Sequence, residues 1–432
     1  MIDPSAAVEH TIRLQWPAET VRAWYARPGA FERLMPPWER LRLVAPVTGA
    51  EPDGEHIRAP LGWRWVHRRR IEPDGSEACT VEERLDYAAP PGLPGPVARR
   101  MIRPRLERLL AYGEAVVRHD LEAHARFAAL PRLRVAITGA SGLIGRALTP
   151  FLTTGGHDVV RMTRGHDKTG VRWDYDSGRI DREGLEGLSA VVHLAGENIG
   201  ARWTRERRRR IVESRVIGTR FLAESLARLR RPPQVLVSAS GIGIYGEHGD
   251  ELVTEATPVI GAREDFLTAV GRDWEAATQP ARRAGIRTVC TRQGVVLTPA
   301  GGALARMLPA FLAGAGGPLG GGRQWMSWIA MDDVVGALHH ALMDAELDGP
   351  INVTSPEPVT NREFAATLGR VLHRPAVFPV PAPALRLAFG EMADVALLTS
   401  IRAVPERLRE AGYEFRYPGL ERALRFELGR KE

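Results

Sequence analysis

Residues 134–145 read RVAITGASGLIG. An apolar, strand-like run ends at Thr138, and Gly139, Gly142 and Gly145 follow at three-residue spacing before a segment with helical periodicity. In such a loop the first glycine permits a tight turn, the second lets a pyrophosphate approach the backbone, and the third lets the helix pack on the strand. The N-terminal end of that helix adds N–H groups and a positive dipole. The stretch therefore predicts a dinucleotide-binding loop, with a purely structural turn as the alternative.

Strand-like and helix-like segments alternate on the C-terminal side of this loop. The strand-like segments are DVVRMTR, VRWDY, AVVHLAG, QVLVSAS and RTVCTRQGVVL, and a long helix is expected over residues 204–230. Near-continuous apolar strands separated by helices predict a parallel sheet covered on both faces, hence a Rossmann-like, doubly wound α/β fold. From Pro379 onward, short helices and turns predict a small C-terminal lobe.

The second strand of this unit ends at Arg164, where an NAD-specific domain carries an acidic residue for the ribose hydroxyls. An arginine there, followed by Lys168, can pair with a 2′-phosphate, so the sequence favours NADP(H) over NAD(H). The alternative is an ordinary solvated arginine in an arginine-rich protein.

The region before Pro131 has a different pattern and predicts a separate α+β domain over residues 1–130, followed by a dinucleotide-binding domain over residues 131–432. Alternating strand-like segments at 10–16, 61–71 and 79–87 precede a helical run from Ile102 to about Phe127. The apolar face of that run comprises Leu106, Leu109, Leu110, Val116, Val117 and Leu121.

Composition limits the classes of function. The 59 Lys and Arg exceed the 52 Asp and Glu by seven, but this charge is spread along the chain, so a nucleic-acid partner is not expected. Cys79 and Cys290 are too few and too far apart for a disulfide framework or a zinc cluster, and no metal site is expected. No signal peptide or apolar run of about 18 residues is visible, so we expect a cytoplasmic protein without a membrane span. The oligomeric state stays open.

Several motifs in order resemble those of the extended short-chain dehydrogenase/reductase superfamily. HLAGENIGARWT, SASGIGIYGEHGDELVTE, FLTAVGRDWEAAT and GGRQWMSWIAMDDVV are similar to its atypical NADP-binding branch, the SDR39U epimerase family. The tail, residues 378–428, resembles the DUF1731 element that ends those proteins. Residues 1 to about 128 resemble, by pattern alone, the SRPBCC (START/Bet v1-like) helix-grip domain, which encloses an apolar ligand. Trp63 and Trp65 share one strand face, as cavity-lining or, alternatively, core residues would.

The resemblance implies a set of cofactor contacts. Pyrophosphate contacts fall on Gly139, Ser141, Gly142, Leu143, Ile144 and Gly145, a 2′-phosphate contact on Arg164, and further cofactor contacts on Leu194, Ala195, Gly196 and Ser238. It also implies that Ser240, at the end of the fifth strand, is the active-site hydroxyl that bonds a substrate carbonyl or alcohol. The loop and helix after HLAGEN imply substrate contacts at Glu197, Asn198 and Trp203, with Ser214 and Arg215 as further residues facing the cleft.

The chain departs from the superfamily at its Tyr-x-x-x-Lys pair. Leu267 stands at the Tyr position and Gly271 at the Lys position, and neither side chain can move a proton. The titratable residues that remain nearby are Tyr245, His248, Glu197 and Asp273, each with a structural role as the alternative. Of these, Tyr245 is the second catalytic candidate beside Ser240.

Three further stretches bear on the substrate and on partners. Trp325 or Met326 occupies the place where sugar-nucleotide epimerases carry a pyrophosphate-binding arginine, and Arg323 comes earlier, so a nucleotide-sugar substrate is disfavoured. Asp332 is predicted to cap the helix that follows it. The run RERRRR, residues 205–210, is either a solvated helix face or a patch for an anionic partner.

Two hypotheses of different classes follow. In the first, the protein is an NADP(H)-dependent oxidoreductase or epimerase that acts on a small carbonyl or alcohol, while the front domain binds or delivers an apolar ligand. In the second, it binds NADP(H) without catalysis, as a redox sensor. A catalyst that borrows its acid from the substrate or from water is a third possibility.

Overall fold

The computed structural model describes residues 7–39, 41–46, 54–88, 95–165, 170–259 and 265–431. The chain divides into two compact units. The N-terminal unit comprises Met1–Ala128, Thr153–Gly156 and Phe426–Glu432, and the C-terminal unit comprises Ala129–Leu152 and His157–Arg425.

The N-terminal unit contains an antiparallel sheet of five strands in the order β1-β5-β4-β3-β2, together with one long helix. Its strands are β1 (Ala7–Leu14), β2 (Arg42–Pro46), β3 (Gly54–Arg58), β4 (Arg64–Pro73) and β5 (Cys79–Ala88), and its helices are α1 (Ala18–Ala26), α2 (Ala30–Leu34) and α3 (Gly95–Ala125). The predicted apolar face of α3 is buried along its whole length. Trp63 and Trp65 pack in the core with Leu106 and Leu110, which supports the interpretation of both tryptophans as core residues.

A cavity in this unit is lined mainly by apolar side chains such as Phe31 and Leu110, with Glu55, His67 and Glu83 at its polar side. Its volume of about 20 Å³ holds about one water molecule. This cavity therefore gives no support to the expected apolar ligand, which stays a prediction.

The C-terminal unit is built on a sheet of eight strands in the order β17-β13-β11-β10-β6-β7-β8-β9. Its strands are β6 (Arg134–Thr138), β7 (Asp158–Thr163), β8 (Val171–Asp174), β9 (Arg179–Ile180), β10 (Ala190–His193), β11 (Val235–Gly241), β13 (Arg287–Gln293) and β17 (Gly349–Val353). All neighbours are parallel except β8 and β9. The predicted Rossmann-like, doubly wound α/β fold is confirmed. Strand order reverses between β6 and β10, where such sheets open a ligand crevice.

Helices follow the strands as the sequence pattern predicts. They are α4 (Leu143–Thr154), α5 (Arg205–Val212), α6 (Gly218–Ala227), α7 (Phe266–Ala276), α8 (Gln279–Arg283), α9 (Gly302–Leu312), α10 (Met331–Met343), α11 (Asn361–Leu372), α12 (Ala382–Phe389), α13 (Glu406–Glu410) and α14 (Leu420–Glu427). The long helix expected over 204–230 is one helical stretch whose middle, Glu213–Ile217, is a π-helical turn. Short paired strands complete the unit: β12 (Leu252–Val253), β14 (Val295–Leu297), β15 (Trp325–Met326), β16 (Trp328–Ala330), β18 (Val359–Thr360) and β19 (Arg402–Ala403).

The first turn of α10 anchors the C-terminal segment. The buried Asp333 carboxylate accepts hydrogen bonds from the backbone N–H groups of Arg416 (2.7 Å) and Tyr417 (3.0 Å) and from the Tyr413 hydroxyl (3.2 Å). The prediction that Asp332 caps α10 was wrong. The helix begins one residue earlier, at Met331, so Asp332 lies inside the first turn, and its carboxylate is 3.4 Å from Arg416 Nη1.

None of the helices in the described part of the chain is long and apolar enough to cross a membrane. Among the same residues, no group of three or more His, Cys, Asp or Glu side chains is placed to hold a metal ion. Both cysteines are buried and free.

Candidate functional site

The glycine loop, residues 139–145, joins β6 to α4 at the point of strand reversal. Gly139 has a φ of +68°, and a Cβ there would stand 2.9 Å from the backbone of Leu194 and Ala195. A Cβ on Gly145 would lie 2.4 Å from the Gly139 carbonyl oxygen and 2.6 Å from Ala140 Cα. Both positions therefore require glycine, one for backbone conformation and one for close packing of the helix on the loop.

The rest of the loop is open to solvent. Ser141 and Gly142 are exposed, Leu143 and Ile144 are half-buried, and the Gly142 N–H bonds the Gly139 carbonyl at 2.8 Å. Because α4 begins at Leu143, its unpaired N–H groups stand at this exposed turn. The loop thus has the backbone cradle and the helix N-terminus that a pyrophosphate requires.

Arg164 follows directly after β7, the strand next to β6, and its side chain is exposed. Among the described residues it makes no hydrogen bond or ion pair, so its guanidinium is available to a ligand. Lys168, the second cation predicted here, lies outside the described residues.

A buried network under the glycine loop holds the segment after β10. Thr138 Oγ1 accepts hydrogen bonds from the N–H groups of Leu194 (3.1 Å) and Ala195 (3.2 Å), which uses both of its acceptor positions. Its own hydrogen must therefore go to His193 Nδ1, 2.7 Å away. His193 Nε2 is then the protonated nitrogen and donates to Thr219 Oγ1 at 3.0 Å. Burial lowers the His193 pKa to about 4, which agrees with this neutral tautomer.

The predicted substrate contacts after β10 bond mostly to neighbouring protein groups. Gly196 and Asn198 are exposed, while Glu197 is half-buried with its carboxylate 3.3 Å from Arg207 Nη1. The Asn198 side chain accepts a bond from the Gly200 N–H at 2.8 Å. Trp203 is 9% exposed and packs edge-on against Phe266, so its indole belongs to an apolar cluster.

Ser240 lies at the C-terminal end of β11, in register with Arg292 on β13, which is in turn in register with Asn352 on β17. Ser240 Oγ is 2.8 Å from Glu275 Oε1 on α7. Arg292 bonds both oxygens of the same carboxylate, each at 2.8 Å. Because a carboxylate paired in this way only accepts hydrogen bonds, Ser240 must be the donor. Among the described residues, no group donates a hydrogen bond to the Ser240 hydroxyl oxygen. Ser240 as a whole is 4% exposed.

Tyr245 belongs to the same network and is fully buried. Its hydroxyl accepts from Arg292 Nη1 and donates to Asn352 Oδ1, both at 2.8 Å. Burial raises the Tyr245 pKa. Ser238, two residues before Ser240, is also fully buried, with its hydroxyl 3.4 Å from the Ala239 carbonyl oxygen. Neither hydroxyl is exposed to a crevice.

Close packing fills the space where the superfamily carries its Tyr and Lys. A Cβ on Gly271 would lie 2.8 Å from Ile244 Cβ, and a Cβ on Gly243 would lie 3.3 Å from Leu267 Cβ. Helix α7 therefore lies directly against the 3₁₀ turn Ile242–Tyr245. A lysine at position 271 has no room without moving this helix.

Other candidate residues make local contacts. Asp273 is exposed and lies beside Arg272, and His248 Nδ1 is 3.4 Å from the Gly246 carbonyl oxygen. Trp325 donates to Asp250 at 2.8 Å and is covered by Arg402, Met326 is half-buried, and Arg323 is exposed. Within the run 205–210, Arg207 to Arg210 pair with glutamates, which supports the solvated helix face.

Glu275, Arg292 and Asn352 are network members that the sequence did not single out. Arg292 and Asn352 lie 52 and 112 residues beyond Ser240, so only the strand register brings them together. For Arg292 and Asn352 the signal that was present is their position toward the C-terminal end of an apolar strand, since those ends meet at one edge of a parallel sheet, whereas Glu275 lies on α7.

Comparison with known proteins agrees with this geometry. The model of the NAD dependent epimerase/dehydratase family matches residues 135–353 of the 432. The chain belongs to that family. In this epimerase-family protein, residues 380–427 also match the domain of unknown function DUF1731. The similarity to SDR39U-type proteins with a DUF1731 element is confirmed, whereas the SRPBCC domain stays a prediction.

The curated relatives and solved structures that resemble this epimerase-family chain cover different fractions of its length. The epimerase family protein Mb2239 of Mycobacterium bovis is 42% identical over 67% of this chain and 96% of its own length. A human SDR39U1 structure with NADPH has a TM-score of 0.64 and 34% identity, covering 68% of this chain and 99% of its own. A nucleoside-diphosphate sugar epimerase structure from Corynebacterium glutamicum has a TM-score of 0.76 and 31% identity, covering 98% of this chain and 90% of its own.

Proposed function

We propose that this chain is an NADP(H)-dependent oxidoreductase or epimerase-like enzyme that acts on a small alcohol or carbonyl compound. The observation that carries the proposal is the glycine loop, whose Gly139 and Gly145 leave no room for a side chain, next to the exposed Arg164, which pairs with no other residue that the structure describes. The loop fits a pyrophosphate and the arginine fits a 2′-phosphate. The human relative solved with NADPH supports the choice of cofactor.

In this proposal the cofactor lies along the strand ends on both sides of β6. Ser141, Gly142, Leu143 and Ile144 hold the pyrophosphate with backbone N–H groups, and Arg164 holds the 2′-phosphate. Leu194, Ala195 and Gly196 line the path toward β11. We assign no direct cofactor contact to Ser238, because its hydroxyl is fully buried.

The bound nicotinamide would supply or accept a hydride, and the protein's own contribution is orientation of the substrate oxygen. Ser240 is the residue that we assign to this oxygen. Glu275 and Arg292 fix its hydrogen, so its lone pairs are left to accept a bond from a substrate hydroxyl. Tyr245 is a positioning residue, since its buried hydroxyl joins Arg292 to Asn352.

Binding without catalysis is the second candidate, favoured by one observation. At the positions of the superfamily's Tyr–Lys pair, Ile244 packs against Gly271 and leaves no room for a lysine side chain. The pair that transfers the proton in the superfamily therefore has no counterpart there. NADPH oxidation during incubation with aldehydes, ketones and quinones, together with analysis of nucleotide sugars for the formation of epimers, separates the two functions, because epimerisation consumes no net NADPH. Turnover that is lost in Ser240→Ala supports the enzyme, while binding with no turnover supports a sensor.

The cofactor itself is tested by calorimetric titration with NADPH and NADH. The Arg164→Ala variant is expected to lose NADPH affinity by about 10- to 100-fold and to keep NADH affinity, because a phosphate–arginine pair is lost. Arg161→Ala removes an exposed arginine of β7, the strand that Arg164 follows, and is the matched control. Equal loss for both nucleotides, or none, would contradict the assignment of Arg164. Failure of the wild-type protein to bind either nucleotide would overturn the proposed function.

We further propose a division into domains 1–130 and 131–432, a cytoplasmic location, and an apolar ligand for the first domain. An apolar fluorescent probe tests that ligand on the full chain. Leu110→Lys alters the core beside the cavity. The proposal is supported if this variant no longer binds the probe while the thermal midpoint of the C-terminal unit is unchanged. No binding to the wild type would remove it.

A further inference from the structure

Arg215 occupies a position under the loop that follows β10. It lies in the π-helical turn Glu213–Ile217, and its guanidinium carbon is 4.9 Å from the centre of the Trp274 ring. A Cβ on Gly196 would come within 3.4 Å of the same guanidinium. The arginine head is therefore held between an aromatic ring of α7 and the backbone of the loop at Gly196.

No carboxylate among the described residues lies within ion-pair distance of this guanidinium. Its one hydrogen bond runs from Nη1 to the Glu197 carbonyl oxygen at 2.9 Å, while the Glu197 carboxylate is paired with Arg207. By contrast, the buried Arg292 has Glu275 as its partner. Burial lowers the Arg215 pKa to about 10, because the desolvation of the cation outweighs the attraction of the nearby Glu197 carboxylate.

The position of Arg215 along the sheet indicates which part of a ligand it meets. Gly139 is in close contact with Leu194 and Ala195, and Gly196 follows them beside Arg215. Arg164 lies on the other side of β6, after β7. A dinucleotide with its pyrophosphate on the glycine loop and its 2′-phosphate at Arg164 extends its nicotinamide half across β10 and β11, past Gly196.

We propose that Arg215 is a ligand-binding cation whose remaining N–H groups donate to oxygen atoms of the nicotinamide nucleotide. This inference rests on the proposed function, because it assumes a dinucleotide on the glycine loop. In the superfamily this positive charge comes from a lysine at a position that lies on α7 in this chain. Here Arg215, just before α6, would supply the charge instead. That lysine position is Gly271, where close packing leaves no room.

The test compares two probes on the full chain by calorimetry: NADPH, and 2′,5′-ADP, which carries the adenine half with its 2′-phosphate. Arg215→Met is expected to weaken NADPH by about 10- to 100-fold, because a charge-assisted hydrogen bond is lost, and to leave 2′,5′-ADP unchanged. Arg215→Lys, which keeps the charge, should recover part of the loss. Arg220→Met removes an exposed arginine of α6 and is the control for net charge.

Each outcome has a defined meaning. Selective loss of NADPH affinity supports the inference. Unchanged NADPH affinity in Arg215→Met overturns it, and so does an equal loss for both probes with a lower thermal midpoint, which indicates a purely structural arginine. Failure of the wild type to bind NADPH or NADH overturns the proposed function and the inference with it.

Discussion

Replacement of Arg292 by Met tests the ion pair under Ser240. The Arg292 side chain is 4% exposed and that of Glu275 is 16% exposed. In the variant the Glu275 carboxylate loses its two charge-assisted hydrogen bonds of 2.8 Å from Arg292 and keeps only the bond from the Ser240 hydroxyl. Removing one partner of a buried ion pair lowers the free energy of unfolding by about 3–5 kcal/mol. Because Glu275 is partly exposed, we expect the lower end of this range, about 3 kcal/mol. Glu275→Leu should cost a similar amount, because it leaves Arg292 buried as an unpaired cation.

The double variant Glu275→Leu/Arg292→Met should cost only about 2 kcal/mol, since no buried charge remains and the losses are hydrogen bonds to Ser240 and Tyr245. The expected coupling is therefore about 4 kcal/mol. Urea unfolding of all variants, followed by tryptophan fluorescence and circular dichroism with a separate transition allowed for each unit, measures it.

The matched control is the pair Arg386–Asp394, whose side chains are 55% and 48% exposed. Its single variants should cost less than about 1 kcal/mol. Additivity of the Glu275 and Arg292 variants within about 0.5 kcal/mol would refute the argument, because independent sites behave in that way.

Three further predictions concern other parts of the C-terminal unit. Gly145→Ala should weaken NADPH binding at least about tenfold, because its Cβ would stand 2.4 Å from the Gly139 carbonyl oxygen and α4 would have to move. His193 should make the protein less stable as the pH falls from 6.5 to 4, by about 3 kcal/mol in total, because its pKa is lower in the folded state and the unfolded state takes up the proton first. Asp333→Asn should destabilise the unit by about 2 kcal/mol, because the two backbone N–H groups bond different carboxylate oxygens and one of these becomes an NH2 group, which cannot accept.

Each of these has a control. Gly165→Ala places a Cβ in open space, so NADPH binding equal to that of Gly145→Ala would contradict the packing argument. His193→Gln removes the titration, and a pH dependence of the urea midpoint that matches the wild type would show that His193 does not contribute. Asp273→Asn alters an exposed aspartate and is the control for Asp333→Asn. If the urea midpoint of Asp333→Asn is no lower than that of Asp273→Asn, the anchoring role of Asp333 is contradicted.

The glycine loop was predictable because strand, turn and helix are adjacent in the chain. The Cβ clashes at Gly142 and Gly145 involve only neighbouring residues of the loop, and Gly139 adopts a positive φ, although its Cβ would also meet the distant Leu194 and Ala195. The same holds for Arg164, which stands at the end of an apolar run and is exposed as expected.

The network around Ser240 could not be predicted in this way. Its partners come from two other strands and from α7, and their register depends on the whole sheet. Tyr245 was a catalytic candidate because it is a titratable residue near Ser240 in the motif order, yet its ring is fully buried at the end of the 3₁₀ turn Ile242–Tyr245. In the N-terminal unit, α1, α2, β2 and β3 were not anticipated, because short elements carry too few residues to show a period.

The bonds to Asp333 have a consequence for the order of folding during synthesis. The carboxylate belongs to a helix that leaves the ribosome before Tyr413, Arg416 and Tyr417 do, and at about 5–20 residues per second the delay is several seconds. During that interval the carboxylate has only water as a partner, so α10 cannot bury it without a large desolvation cost. Chains that stop before residue 413 should therefore fail to complete the fold of the C-terminal unit.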